Sequence, residues 1–175
     1  ATAVQGSTDS TSDVERFVSE ASDFLGGIDL LVNNAGISRV VPAVDDDLPG
    51  FLHELAVDLV APYELARRAA RWWIAEEHPG VVVNLGSVLG AGAGGKLRVP
   101  GYAAAKGGLH NLTRGLSVEL ARKGIRVNAL APALSLLHIL CCPRSPLRLS
   151  PASPHHPHNN LSVYSSISPL SLNPI

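Results

Sequence analysis

Apolar positions change their period several times along this chain. Val14, Phe17, Val18, Ala21, Phe24 and Leu25 recur at three- and four-residue spacing, which predicts an amphipathic helix. Ser12 and Glu15 have the capping-box form ahead of it, Asp13 adds favourable charge at the positive helix end, and Gly26-Gly27 supplies the stop. Ile28 to Val32, Val81 to Leu85 and Ile125 to Leu130 are short apolar runs suited to buried parallel strands, and Thr2 to Gly6 reads as a further short strand. Leu48 to Ala75 predicts a second helix with a kink at the interior Pro62. Tyr102 to Lys123 predicts a third, with Ala105, Leu109, Leu112, Leu116 and Leu120 on one face. Arg122 and Lys123 suit its negative end, and Gly124 its stop. Strands alternating with amphipathic helices predict an α/β fold, a doubly wound parallel sheet with flanking helices.

From Leu134 the pattern stops. Leu134 to Ile175 holds seven of the 13 prolines and many serines, but no glycine and no acidic residue. Such a composition cannot bury enough apolar area to offset the entropy of ordering it, so residues 134–175 are expected to form a disordered tail behind a single domain over 1–133. His155, His156 and His158, with Cys141 and Cys142 upstream, are read as tail residues and not as a metal site, because nothing there would fix a second shell.

Composition narrows the function. A net charge of -1 supplies no basic stripe for phosphates, so nucleic acid and acidic membranes are not expected partners. The two cysteines are adjacent and poorly placed to staple the chain. The longest apolar stretch, Ala129 to Cys142, is broken by Pro132, Ser135 and His138 and falls short of the roughly 20 residues a membrane helix needs. No charged-then-apolar signal segment opens the chain, so a cytoplasmic setting is the default expectation. There is no methionine, and Ala1 fits a sequence entered partway through a longer protein.

Three motifs carry the chemistry: Asn33-Asn34-Ala35-Gly36 after an apolar run, Ser87 after Val81-Val82-Val83-Asn84, and Tyr102-Ala-Ala-Ala-Lys106 opening a helix. Hydride chemistry on an alcohol or ketone needs a group that exchanges the hydroxyl proton near neutral pH. A tyrosine, with an ordinary pKa of about 10, does so poorly alone. A lysine four residues on lies on the same helix face, and its charge favours phenolate, as does the positive helix end. Ser87, at the C-terminal end of a buried strand, lies where such sheets place ligands and can donate to a substrate oxygen.

In this order and spacing the motifs resemble the short-chain dehydrogenase/reductase family of NAD(P)-dependent oxidoreductases. The resemblance runs from about Val4 to Pro132 and includes Ile28-Asp-Leu-Leu-Val-Asn-Asn-Ala-Gly36 and Gly124-Ile-Arg-Val-Asn-Ala-Leu-Ala-Pro132. It implies a Rossmann-type sheet, and hydride transfer between NAD or NADP and a carbonyl or hydroxyl substrate. The phrases around Lys106 and Arg126 are similar to those of 3-oxoacyl reductases. By the same resemblance Tyr102 is the general acid/base. Lys106 lowers its pKa and bonds the nicotinamide ribose, and Ser87 orients the substrate carbonyl. Asn33, Asn34, Ala35 and Gly36 form the turn beside the cofactor, and Pro132 opens the segment bordering the nicotinamide. The helices at 48–75 and 102–123 are those the family uses for subunit contacts, so a homo-oligomer is implied.

Four features depart from the family pattern. No Gly-x-x-x-Gly-x-Gly loop precedes the first helix, so cofactor binding by this chain is expected to be weak. Gly90, Gly92, Gly94 and Gly95 follow the Ser87 strand and are read as loop flexibility. Ser7 takes the place of an acidic residue near the adenine. Asp58 takes the place of an active-site asparagine that starts a water-linked proton relay, and Ala133 that of a glycine. In the family's sheet two strands lie between the one at Thr2–Gly6 and the one at Ile28–Val32; without them the strand at Asp29 is expected to show an unpaired apolar edge. A second expectation follows, that the chain is a non-catalytic truncated remnant that pairs with a complete paralogue or has no function.

Overall fold

The computed structural model describes residues 1–92 and 97–132. The expectations placed on residues 133–175, and on Gly94 and Gly95, lie outside the described residues. Helix α1 (Thr11–Leu25) leads to strand β1 (Leu30–Asn33). Helix α2 (Leu48–Leu55) passes through a π-turn (Ala56–Val60) into α3 (Ala61–Ala75), followed by β2 (Gly80–Leu85) and a 3-10 turn (Val88–Ala91). Helix α4 (Pro100–Leu120) tightens through a second 3-10 turn (Ala121–Lys123) before β3 (Ile125–Leu130). The strands form one parallel sheet in the order β1-β2-β3, with Leu31 opposite Val82 and Val82 opposite Val127.

One face of this sheet carries the core. Val82, Ile125 and Val127 pack with Ile28 and with Ala66, Ala69, Ala70 and Trp73 of α3. The alanines let α3 come down close to the strands. Trp73 is fully buried and its indole N–H donates to the Ile28 carbonyl at 2.5 Å. Gly80 must be a glycine here, because a Cβ would collide with the indole ring. Truncating a tryptophan so placed to alanine costs about 3–5 kcal/mol. Beyond this cluster, Asn33 donates to Asn84 at 2.8 Å and to the Pro62 carbonyl at 3.2 Å, and Asn84 donates to Thr113 of α4 at 2.9 Å. This polar chain fixes α3 and α4 over the strand ends.

Several sequence expectations are corrected by the structure. Thr2–Gly6 is not a strand: it runs beside the start of α1, where Arg16 donates to the Gln5 carbonyl at 2.7 Å and the Ser7 N–H to Asp13 at 2.9 Å. A strand needs a paired neighbour, and none lies beside this segment among the described residues. Helix α1 is capped by Ser10, whose hydroxyl accepts from the Asp13 N–H at 3.3 Å, and not by Ser12. The bond from Ser7, then the Arg16 guanidinium, holds the Asp13 carboxyl below the usual carboxylate range. At Pro62, where the sequence predicts a kink, the helix runs through a π-turn. Proline lacks an N–H and its ring crowds the carbonyl four residues back; the chain widens by one residue, and the Ala61 N–H bonds the Ala56 carbonyl in a π-turn. Gly26 ends α1 in the left-handed conformation, φ 71°, as its sequence position implies.

The expected apolar edge is present. Among the described residues β1 pairs only with β2, and Leu30 and Val32 remain 53% and 50% exposed. No helix among the described residues is long and apolar enough to cross a membrane.

Candidate active site

The C-terminal ends of β1 and β2 and the first turns of α4 meet at one end of the sheet, where parallel sheets place ligands. Tyr102 lies in the first turn of α4, entered through Pro100, whose fixed φ suits a helix start. One turn on, Lys106 is 3% exposed. Its ammonium lies 5.5 Å from the Tyr102 ring centroid and donates to the Leu85 carbonyl at the end of β2 at 3.0 Å. Asp58, in the π-turn, is fully buried with Oδ1 3.9 Å from the same ammonium. Burial pushes the Asp58 carboxyl up, against the opposing pull of Lys106, and burial pushes the Lys106 ammonium down, against Asp58.

The turn after β1 closes the other side. The Ile37 N–H donates to Asp58 Oδ1 at 2.9 Å, and the Arg39 N–H to Oε1 of Glu54 at 2.6 Å. Glu54 and Asp58, one turn apart, thus hold the loop leaving β1. A Cβ on Gly36 would lie 2.8 Å from Asp58 Oδ1 and 3.4 Å from Lys106 Nζ, so this turn approaches the pair by its bare backbone. Asn33 is 5% exposed and its amide is engaged with Asn84 and Pro62, on the supporting side of the turn; Asn34 and Ala35 are exposed.

Ser87 follows β2 in extended conformation and caps the 3-10 turn: its Oγ accepts from the Leu89 N–H at 3.2 Å, which leaves its own hydrogen free of that bond. The glycine-rich run begins as a packed element and not as loose loop. A Cβ on Gly90 would lie 2.5 Å from the Lys106 carbonyl carbon, so Gly90 seats the 3-10 turn on α4, while Gly92 turns the chain at φ 100°. The exposed Pro132 meets this turn through its carbonyl, which accepts from the Val88 N–H at 3.4 Å.

Glu54 and His110 were not singled out from the sequence, although the signal was there. Glu54 stands four residues before Asp58 and His110 four after Lys106, so each shares a helix face with a candidate residue.

These residues fit one end of a dinucleotide. Lys106 has three N–H donors and spends one on Leu85, and Asp58 Oδ2 is buried without a partner among the described residues. That donor-rich end suits a ribose beside a nicotinamide. A pyrophosphate is not provided for among the described residues. The starts of α1 and α2 are capped by their own Ser10 and Asp47, and α4 starts at Val99-Pro100 without a glycine loop. No group of His, Cys, Asp and Glu among the described residues could hold a metal ion.

Known proteins agree with this architecture. The family model described as short chain dehydrogenase matches residues 1–136. A hexahydro-1H-indene-carboxyl-CoA reductase of Mycobacterium tuberculosis is 36% identical over 126 residues, which is 72% of this chain and 47% of that protein. A short chain dehydrogenase from Mycobacterium smegmatis superposes with a TM-score of 0.71 at 34% identity, covering 75% of this chain and 54% of that one. A 4-hydroxyisoleucine dehydrogenase complexed with NADH gives 0.68 at 30% identity, covering 74% and 56%. The chain therefore spans about half the length of the relatives it matches. With a matching family model over most of its length and this sheet, the chain belongs to the short chain dehydrogenase family.

Proposed function

We propose that this chain carries the proton-transfer half of an NAD(P)-linked oxidoreductase acting on a carbonyl or hydroxyl group. The observation that carries the reading is the buried Lys106 ammonium, held by the Leu85 carbonyl and Asp58 one turn past Tyr102. The nicotinamide, when bound, supplies or accepts the hydride. In the reducing direction the Tyr102 hydroxyl gives its proton to the substrate oxygen, and in the oxidising direction its phenolate takes one. Lys106, unable to leave its buried position, offsets the charge on that phenolate and offers its remaining N–H donors to the ribose. The free Ser87 hydroxyl hydrogen points the substrate oxygen at Tyr102. Support for a nicotinamide also comes from the NADH in the complex of the related 4-hydroxyisoleucine dehydrogenase.

A 3-oxoacyl-type carbonyl is the first substrate class to try, on the strength of Ala104-Ala105-Lys106-Gly107-Gly108 and Ile125-Arg126-Val127-Asn128. Subunit pairing through the helices at 48–75 and 102–123 belongs to the same proposal. The test joins residues 1–132 to the phosphate-binding unit and substrate cover of a complete relative. Tyr102→Phe keeps the ring but removes the proton, and should lower kcat by roughly 10²–10⁴-fold while leaving cofactor binding largely intact. Retention of most of the turnover would remove Tyr102 from the mechanism.

A further inference from the structure

His110 lies on α4 one turn past Lys106 and is 8% exposed. Its Nε2 faces the turn that leaves β2, at 3.4 Å from the Ser87 backbone nitrogen. We propose that His110 is a positioning residue for Ser87: its Nε2 accepts the Ser87 N–H and sets the direction in which the serine hydroxyl leaves the sheet. The proposal rests on the role given above to Ser87.

Three features make this contact a built one. Gly86 admits the ring, since a Cβ there would collide with Nε2 and Cδ2 of His110. From the β3 side, the Leu130 carbonyl accepts the Gly86 N–H at 2.7 Å, so the turn is held between strand and imidazole. Ser87 itself is extended, φ -159° and ψ 151°, and its Oγ is already directed by the Leu89 N–H. With the backbone fixed by His110 and the oxygen by Leu89, the hydroxyl hydrogen is the one free element of the residue.

The contact requires a particular protonation state. An N–H donor can meet Nε2 only when that nitrogen carries a lone pair, so the proton of the neutral ring must sit on Nδ1. The surroundings favour the neutral ring. Burial, then the charges of Arg114 and Lys106 on the same helix, hold His110 below its ordinary range. The turn leaving β2 presents it with backbone and no charged side chain.

Nitrogen NMR on the full ¹⁵N-labelled chain tests this without any turnover. Long-range proton–nitrogen correlation at neutral pH should show His110 as the neutral Nδ1–H tautomer. The Ser87 amide proton should move upfield in His110→Phe, which keeps an aromatic ring but no acceptor. It should return in His110→Gln, whose side-chain carbonyl reaches toward the Nε2 position. An Nε2–H tautomer or an imidazolium at neutral pH would overturn the proposal, as would a Ser87 amide unmoved in His110→Phe. Should that variant fail to fold, the wild-type tautomer decides alone. Failure of the oxidoreductase reading shows separately, as turnover that survives Tyr102→Phe.

Discussion

Replacing Asp58 by asparagine separates two large opposing effects at the candidate active site. At 3.9 Å from Lys106 the ion pair is worth about 4 kcal/mol at an effective dielectric of about 20. Both side chains are almost wholly buried, so solvent does not screen this attraction. Against it stands the desolvation of each ion, several kcal/mol. Burial is the larger influence on Asp58, since its carboxyl is raised despite Lys106. Between the ordinary value of 3.8 and the raised one, the folded chain binds more protons than the unfolded chain, so stability falls as pH rises through that window. An asparagine side chain in its place cannot ionise and escapes this loss, while its carbonyl can still accept from the Ile37 N–H.

Asp58→Asn should therefore match the parent in acid and be the more stable of the two at neutral pH, although it removes an ion pair. Lys106→Met, which strands the carboxylate, should cost about 3–5 kcal/mol at neutral pH. Urea unfolding of the two single variants, the double variant and the parent, followed by the fluorescence of Trp72 and Trp73 across pH, measures both effects. The double-mutant cycle should return a coupling of about 2–4 kcal/mol. A loss above about 2 kcal/mol in Asp58→Asn at neutral pH would show that pairing with Lys106 outweighs burial of the carboxylate.

Two further outcomes are expected. Ser10→Ala should cost about 1 kcal/mol in thermal or urea unfolding while Ser12→Ala stays within about 0.5 kcal/mol, because only Ser10 caps α1; equal effects would return the cap to Ser12. Val32→Lys, at a position half exposed on the unpaired edge of β1, should reduce aggregation in light scattering with little change in unfolding midpoint; unchanged aggregation would clear that edge of responsibility.

The sequence alone determined what depends on neighbours along the chain. A 3.6-residue apolar period located the helices and short apolar runs located the three parallel strands between them. Gly26 and Gly124 marked helix ends because only glycine adopts their left-handed backbone freely. The four-residue spacing of Tyr102 and Lys106 placed both on one helix face, and the missing partner strands implied the open edge of β1. Tertiary structure decided what depends on residues distant in sequence. Thr2–Gly6 forms no strand, because pairing is a property of two segments and no neighbouring one lies beside it among the described residues. Pro62 signalled a disturbed helix, and the fold shows the form it takes, a π-turn in which the Ala61 N–H bonds the Ala56 carbonyl while Asn33 takes the Pro62 carbonyl. Gly90 looked like loop flexibility until α4 was laid against it. The burial of Asp58, Glu54 and Lys106 together, and the contact of His110 with Ser87, likewise arise only when α2, α4 and the ends of β1 and β2 converge, because desolvation is set by everything that surrounds a group and not by its position in the chain.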